Sequence, residues 1–107
     1  MKKISPIHPG EILKTEFLQP FGISAYKLAK DIQVPVNRIT EIINEQRSIS
    51  TETALLLSKF FGLSDGFWIR IQSRYDAAIT KEKIFDHLAA IHPLSSIQRP
   101  EINNDLH

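Results

Sequence analysis

The sequence has no cysteine, which removes disulfide frames, thiolate metal sites and cysteine nucleophiles together. No apolar run approaches the roughly 18 residues of a membrane span. The stretch from Ile4 to His8 is too short and too polar for a signal-peptide core, so the expected compartment is the cytoplasm. β-Signals are nearly missing, as are a glycine-rich phosphate loop, a nucleophile elbow and any Ser-His-Asp arrangement. The histidines, His8, His87, His92 and His107, lack the spacing of a metal-ligand set, so neither a metal nor a cofactor is expected. Glu11, Glu16, Asp31, Glu41, Glu45 and Glu52 have cations nearby and mostly outward phases, which reads as a solvated face. An enzyme would need a site that these residues do not supply. An excess of one charge is missing too: 13 Lys plus Arg stand against 12 Asp plus Glu. The net charge of +1, split as about +2 in the first fifty residues and −1 in the rest, excludes a protein that holds nucleic acid by bulk positive charge.

What is present fits one all-α domain. A chain of 107 residues, 42% hydrophobic, buries roughly two thirds of its unfolded surface without staples. Punctuation at intervals of roughly ten to fifteen residues separates segments of helical period. Pro9 opens a helix to about Leu18, with Ile12, Leu13 and Phe17 inward, and Gln19-Pro20-Phe21-Gly22 stops it. Ser24 caps a second helix, in which Ala25, Leu28, Ala29 and Ile32 recur at i, i+3, i+4 and i+7. Val34-Pro35 opens a third with Ile39, Ile42 and Ile43 inward. Ser50 caps a fourth, Thr51 to Phe61, closed by Gly62. Ser64 caps a fifth from Asp65 to about Ile79, and a sixth runs from about Lys81 to Ile91 with Ile84, Phe85 and Leu88 inward. The expected division is a domain over residues 1–92 and a flexible polar tail over 93–107.

The second and third helices are joined by a turn centred on Gln33-Val34, so they must cross steeply, and Ala29 is the small residue where they touch. Such a pair presents Val36, Asn37, Arg38, Thr40 and Glu41 outward. In a DNA-binding helix-turn-helix this end of the second helix enters the major groove. The chemistry suits that role. Asn pairs with adenine, Arg with guanine or a phosphate, Glu with cytosine, and Val or Thr methyls meet thymine. An ordinary helix pair with a solvated face has the same pattern.

The stretches Ser24-Ala-Tyr-Lys-Leu-Ala-Lys, Asn37-Arg-Ile-Thr-Glu-Ile-Ile-Asn, Arg47-Ser-Ile-Ser-Thr-Glu-Thr-Ala-Leu and Phe60-Phe-Gly-Leu-Ser-Asp-Gly-Phe-Trp resemble the HigA antitoxins of the Xre-type helix-turn-helix superfamily. The His8-Pro9-Gly10-Glu11 opening is similar to that family as well. The resemblance covers about residues 7 to 79. It implies a five-helix, lambda-repressor-like helix-turn-helix domain and a homodimer on a palindromic operator in its own promoter. It further implies autorepression and neutralisation of a RelE-like, messenger-RNA-cleaving toxin of the HigB type. Carried over residue by residue, it sets Val36, Asn37, Arg38, Thr40 and Glu41 over the bases and Ser24, Tyr26, Lys27 and Arg47 near phosphates. There are two departures from the family pattern. Gln33 occupies a turn position where glycine is usual, and Glu45-Gln46 replaces the usual Gly-Lys.

Aromatics concentrate between Phe60 and Tyr75, and aromatics are enriched at interface cores, so Phe67, Trp68, Ile71, Gln72 and Tyr75 are the expected dimer patch. The toxin would bind Met1 to Ile7 or the tail after Pro93. The alternatives are an Xre-type repressor without a toxin partner and a protein–protein adaptor that uses the helix-turn-helix only as scaffold.

Overall fold

The computed structural model describes residues 5–94, and the tail from residue 95 lies outside them. Its first helix, α1 (residues 9–21), starts where the sequence puts it. His8 Nδ1 accepts the Gly10 N–H at 2.9 Å, and Pro9 fills the first position, where a missing N–H costs nothing. Pro20 does not stop it. The stretch Leu13–Leu18 is wound as a π-helix, the Gln19 N–H reaches the Lys14 carbonyl, and the rod continues through Phe21. The widened turn absorbs a proline ring that would strike the carbonyl four residues back in a regular α-helix.

Helix α2 (Ala25–Ile32) is capped by Ser24 Oγ, which accepts the Lys27 N–H at 3.0 Å. Helix α3 (Val36–Ile43) follows, and then α4 (Thr51–Phe61), capped by Ser50 Oγ on the Thr53 N–H. Helix α5 (Gly66–Lys83) begins without the expected serine cap: Ser64 Oγ receives Arg70 Nη2 instead, at 3.4 Å. A short α6 (Phe85–Ala89) completes the order, and no strand occurs among the described residues.

Four of these helices end in the same way. After α1, α2, α3 and α4 the chain turns into left-handed backbone at Gly22, Gln33, Glu45 and Gly62. The next N–H folds back onto the last helical turn: Ile23 to Leu18, Val34 to Ala29, Gln46 to Glu41 and Leu63 to Ser58. This is the Schellman closure, for which glycine is the unstrained choice. The two non-glycine closures, with φ of 63° each, lie immediately before and after α3.

The core forms where these helices converge. Leu13, Leu28, Ile39, Ile42, Leu57 and Trp68 are wholly buried. Each large apolar side chain of this kind contributes about 1.5–3 kcal/mol. Two residues of the α3 set, Ile39 and Ile42, lie in that core, so α3 is fixed in rotation and its opposite face is fixed outward.

The C-terminal segments differ from the sequence reading. Helix α5 runs past Ile79 to Lys83, and every described residue from Thr80 onward is exposed, including Ile84, Phe85 and Leu88. A helix of 18 residues extends about 27 Å, longer than the core beneath it. The last buried side chain on it is Gln72, so the apolar groups beyond Thr80 have no interior to face.

Candidate nucleic-acid interface

The α2–α3 unit is closed by the left-handed Gln33 and by Pro35, whose extended backbone immediately precedes α3. With Leu28, Ala29 and Ile32 buried on α2 and Ile39 and Ile42 on α3, the remaining faces are solvent-facing. Val36 and Asn37 are exposed, and Arg38, Thr40 and Glu41 are half-buried at their bases. Ser24, Tyr26, Lys27 and Arg47 are all exposed, so none of the nine residues assigned to bases and phosphates lies in the core. Tyr26 and Val36 stand out as large apolar groups in the open, at 67% and 42% exposure. An aromatic and a branched methyl on a polar face suit contact with sugar, base edge or thymine methyl.

The sequence reading put cations near Asp31, Glu41 and Glu52, and the structure pairs each of these carboxylates with one. Lys27 Nζ pairs with Asp31, with Oδ2 2.6 Å away. Arg38 Nη1 lies 3.4 Å from Glu52 Oε1, across the gap between α3 and the first turn of α4. Arg47 donates from Nε at 2.8 Å to Glu41 Oε1, and its Nη2 lies 2.7 Å from the same oxygen. Every one of these three cations holds a carboxylate. Glu41, expected at a cytosine, is engaged with Arg47. The Lys27–Asp31 pair was legible as an i, i+4 spacing. Glu52 was not, because it is fourteen residues from Arg38 and only the packing of α4 against the α2–α3 unit brings it close.

Two backbone contacts hold this face in place. Gly10, at the start of α1, lies against the C-terminal end of α3, and a Cβ there would stand 1.7 Å from the Ile42 carbonyl oxygen. After α3, the buried Ile49 N–H donates to Gln72 Oε1 at 2.8 Å, while Gln72 Nε2 donates to Asp76 Oδ1 at 3.0 Å. The segment carrying Arg47 is thereby tied to α5.

Two of the five residues expected in the dimer patch are covered within their own chain. Trp68 is 0% exposed and Gln72 is buried, both inside their own chain. Phe67, Ile71 and Tyr75 are half-buried. The cover comes from α1 and its cap: Phe17 lies 5.0 Å from the Trp68 ring and 6.0 Å from Phe67, and His8 packs edge-on against Tyr75 at 4.9 Å. Among the described residues, five of the exposed large apolar groups follow one another closely at the C-terminal end, Ile84, Phe85, Leu88, Ile91 and Leu94, while Ile7, Phe21 and Leu55 are scattered singly along the chain. Among the described residues no three His, Asp or Glu side chains gather as a metal set, and no helix is long and apolar enough to cross a membrane.

Comparison with known proteins agrees with this geometry. The helix-turn-helix family HTH_3 matches residues 15–68, which contain the whole α2–α3 unit. Virulence-associated protein I of Dichelobacter nodosus is 44% identical over 87% of this chain and 85% of its own length. The antitoxin HigA of Pseudomonas aeruginosa, solved with the higBA promoter, superposes with a TM-score of 0.78 at 40% identity, covering 84% of this chain and 99% of that one. An addiction module antidote protein of the HigA family from Coxiella burnetii gives 0.77 at 41% identity, over 85% and 100%.

Proposed function

The chain belongs to the HTH_3 helix-turn-helix family and within it to the HigA-type antitoxins, and from that premise we propose that it is a DNA-binding antitoxin. It represses its own promoter and neutralises a messenger-RNA-cleaving toxin encoded beside it. The family is one of DNA-binding regulators rather than of enzymes, and the action proposed is stoichiometric, in the cytoplasm and without a cofactor. The observation that carries the reading is the outward set Val36, Asn37, Arg38 and Thr40 on a helix whose inner face is locked in the core, in a chain 40% identical to an antitoxin solved on promoter DNA.

In the proposed complex α3 enters the major groove. Asn37 and Arg38 read base edges, and Val36 and Thr40 contribute methyl contacts. The Thr40 hydroxyl already donates to the Asn37 carbonyl, at 3.3 Å, so its methyl is what it offers a base. Ser24, Tyr26, Lys27 and Arg47 set the register on phosphates. Two copies place two such helices about 34–36 Å apart, one turn of duplex, and so select a two-fold operator.

The second copy is held by the C-terminal face rather than by Trp68. Five side chains at roughly half exposure offer on the order of 500 Å² of apolar surface per chain, and a symmetric pair would bury about 1,000 Å², the lower bound of a specific interface. Lys81 and Lys83 interleave with Glu82 and Asp86, so a two-fold pairing can set opposite charges together. The test is twofold. Duplex from the chain's own promoter should shift in a gel at concentrations that leave a scrambled duplex free. Co-expression should restore growth to cells producing the neighbouring toxin. A promoter shift without rescue would leave a repressor that has no toxin partner.

A further inference from the structure

We infer that Glu52 is a positioning residue for sequence reading: it holds the Arg38 guanidinium against the protein until a base edge replaces it. The inference rests on the DNA-binding reading above. Arg38 is the only cation on α3, the helix proposed to enter the groove, and its side chain is 28% exposed, folded back toward the first turn of α4. Glu52 is 74% exposed and reaches it from another helix. The positive end of α4 favours a carboxylate at that position, so Glu52 is stabilised there independently of Arg38.

The distances decide what such a pair can do. At 3.4 Å and largely in solvent, Arg38–Glu52 is looser than Arg47–Glu41 at 2.7 Å. An exposed pair of this kind adds little to stability. It still orients a long side chain and offsets its charge at close range. Guanine offers the guanidinium two acceptors in one plane, O6 and N7, which a single carboxylate oxygen at 3.4 Å cannot match. A lone phosphate offers charge without that planar pair. Glu52 therefore gives Arg38 up to the correct base more readily than to backbone phosphate, and it weakens binding to the wrong sequence by competing for the arginine.

The experiment measures binding of the full chain to its promoter duplex and to a scrambled duplex of equal length, across a salt series. It uses wild type, Glu52→Gln, Arg38→Ala and the double variant. Glu52→Gln is expected to raise affinity for the scrambled duplex about three- to tenfold. It should also steepen the dependence of log K on log salt by about 0.9, one added phosphate contact, and lower the promoter-to-scrambled ratio. In the Arg38→Ala background the same substitution should leave the slope unmoved. An unchanged slope and ratio in the single variant would overturn the inference. So would an equal gain in the Arg38→Ala background, since Glu52 would then act only by repelling phosphate. A wild-type chain that binds both duplexes alike would overturn the parent reading instead.

Discussion

The Cβ that Gly10 lacks would stand 1.7 Å from the carbonyl oxygen of Ile42, so the start of α1 and the end of α3 touch backbone to backbone. No side chain fits there. Gly10→Ala must push the two helices apart against a core that contains Leu13 and Ile42, both wholly buried. Overpacking of this kind costs about 3 kcal/mol. Urea denaturation should show a loss of that size, and promoter affinity should fall even where the variant is still folded, because α3 no longer sits where the groove needs it. A loss below about 0.5 kcal/mol, the usual range of a neutral surface change, would mean that the contact is not fixed.

Gln33 and Glu45 close α2 and α3 in left-handed backbone that glycine adopts without strain. Replacing either by glycine relieves roughly 1 kcal/mol, part of which the greater freedom of the unfolded chain offsets. Gln33→Gly and Glu45→Gly are therefore expected to raise stability by a few tenths to about 1 kcal/mol, whereas Gln33→Ala keeps the strain and gains nothing. Glu45→Gly also removes a carboxylate from the DNA-facing side and should tighten binding to every duplex alike. Equal stability of the glycine and alanine variants at position 33 would contradict the strain argument.

How far the sequence reached the site follows from these same residues. Periodicity located α2, α3 and α4 because their apolar stripes, the serine caps of α2 and α4 and Pro35 before α3 are local signals, and a glycine position occupied by Gln33 was recognisable as a turn. What escaped was non-local. Glu52 beside Arg38, Gln72 on the Ile49 N–H and Phe17 over Trp68 join residues 14, 23 and 51 apart in sequence, and no spacing rule announces them. The exposed Ile84, Phe85 and Leu88 read as core because their period is that of a buried helix face, and the same period marks a face awaiting a partner.

Gln72 was expected at a subunit contact and sits instead on a buried backbone N–H. Gln72→Leu preserves bulk but leaves the Ile49 N–H unpaired, which costs about 1–3 kcal/mol. The expected result is a lower urea midpoint with unchanged self-association by sedimentation. Loss of the dimer before loss of the fold would restore Gln72 to the interface.

Base readers and phosphate contacts should separate in a binding series. Arg38→Ala and Asn37→Ala are expected to cost about 1–3 kcal/mol on the promoter and to relax preference at single positions. Lys27→Ala should weaken all duplexes alike and reduce the salt slope by about 1. Its pairing with Asp31 sets the lower limit of that effect, since the ammonium must leave a carboxylate 2.6 Å away to meet a phosphate. Equal losses for both classes on promoter and scrambled duplex would collapse the distinction.

The C-terminal face gives the sharpest test of assembly. Leu88→Asp puts a charge on an exposed helix surface, where a monomer would lose almost nothing, so thermal unfolding measured at low concentration should stay within about 0.5 kcal/mol of wild type. A symmetric interface would take that charge twice, once from each chain, into a surface that must be desolvated, and dissociate. Sedimentation should then show a monomer at concentrations where the wild type is dimeric. Promoter affinity should fall by more than any one base contact explains, because two half-sites must be bound independently. If the variant stays dimeric, the second copy is held elsewhere, and Ile84, Phe85 and Leu88 face another partner.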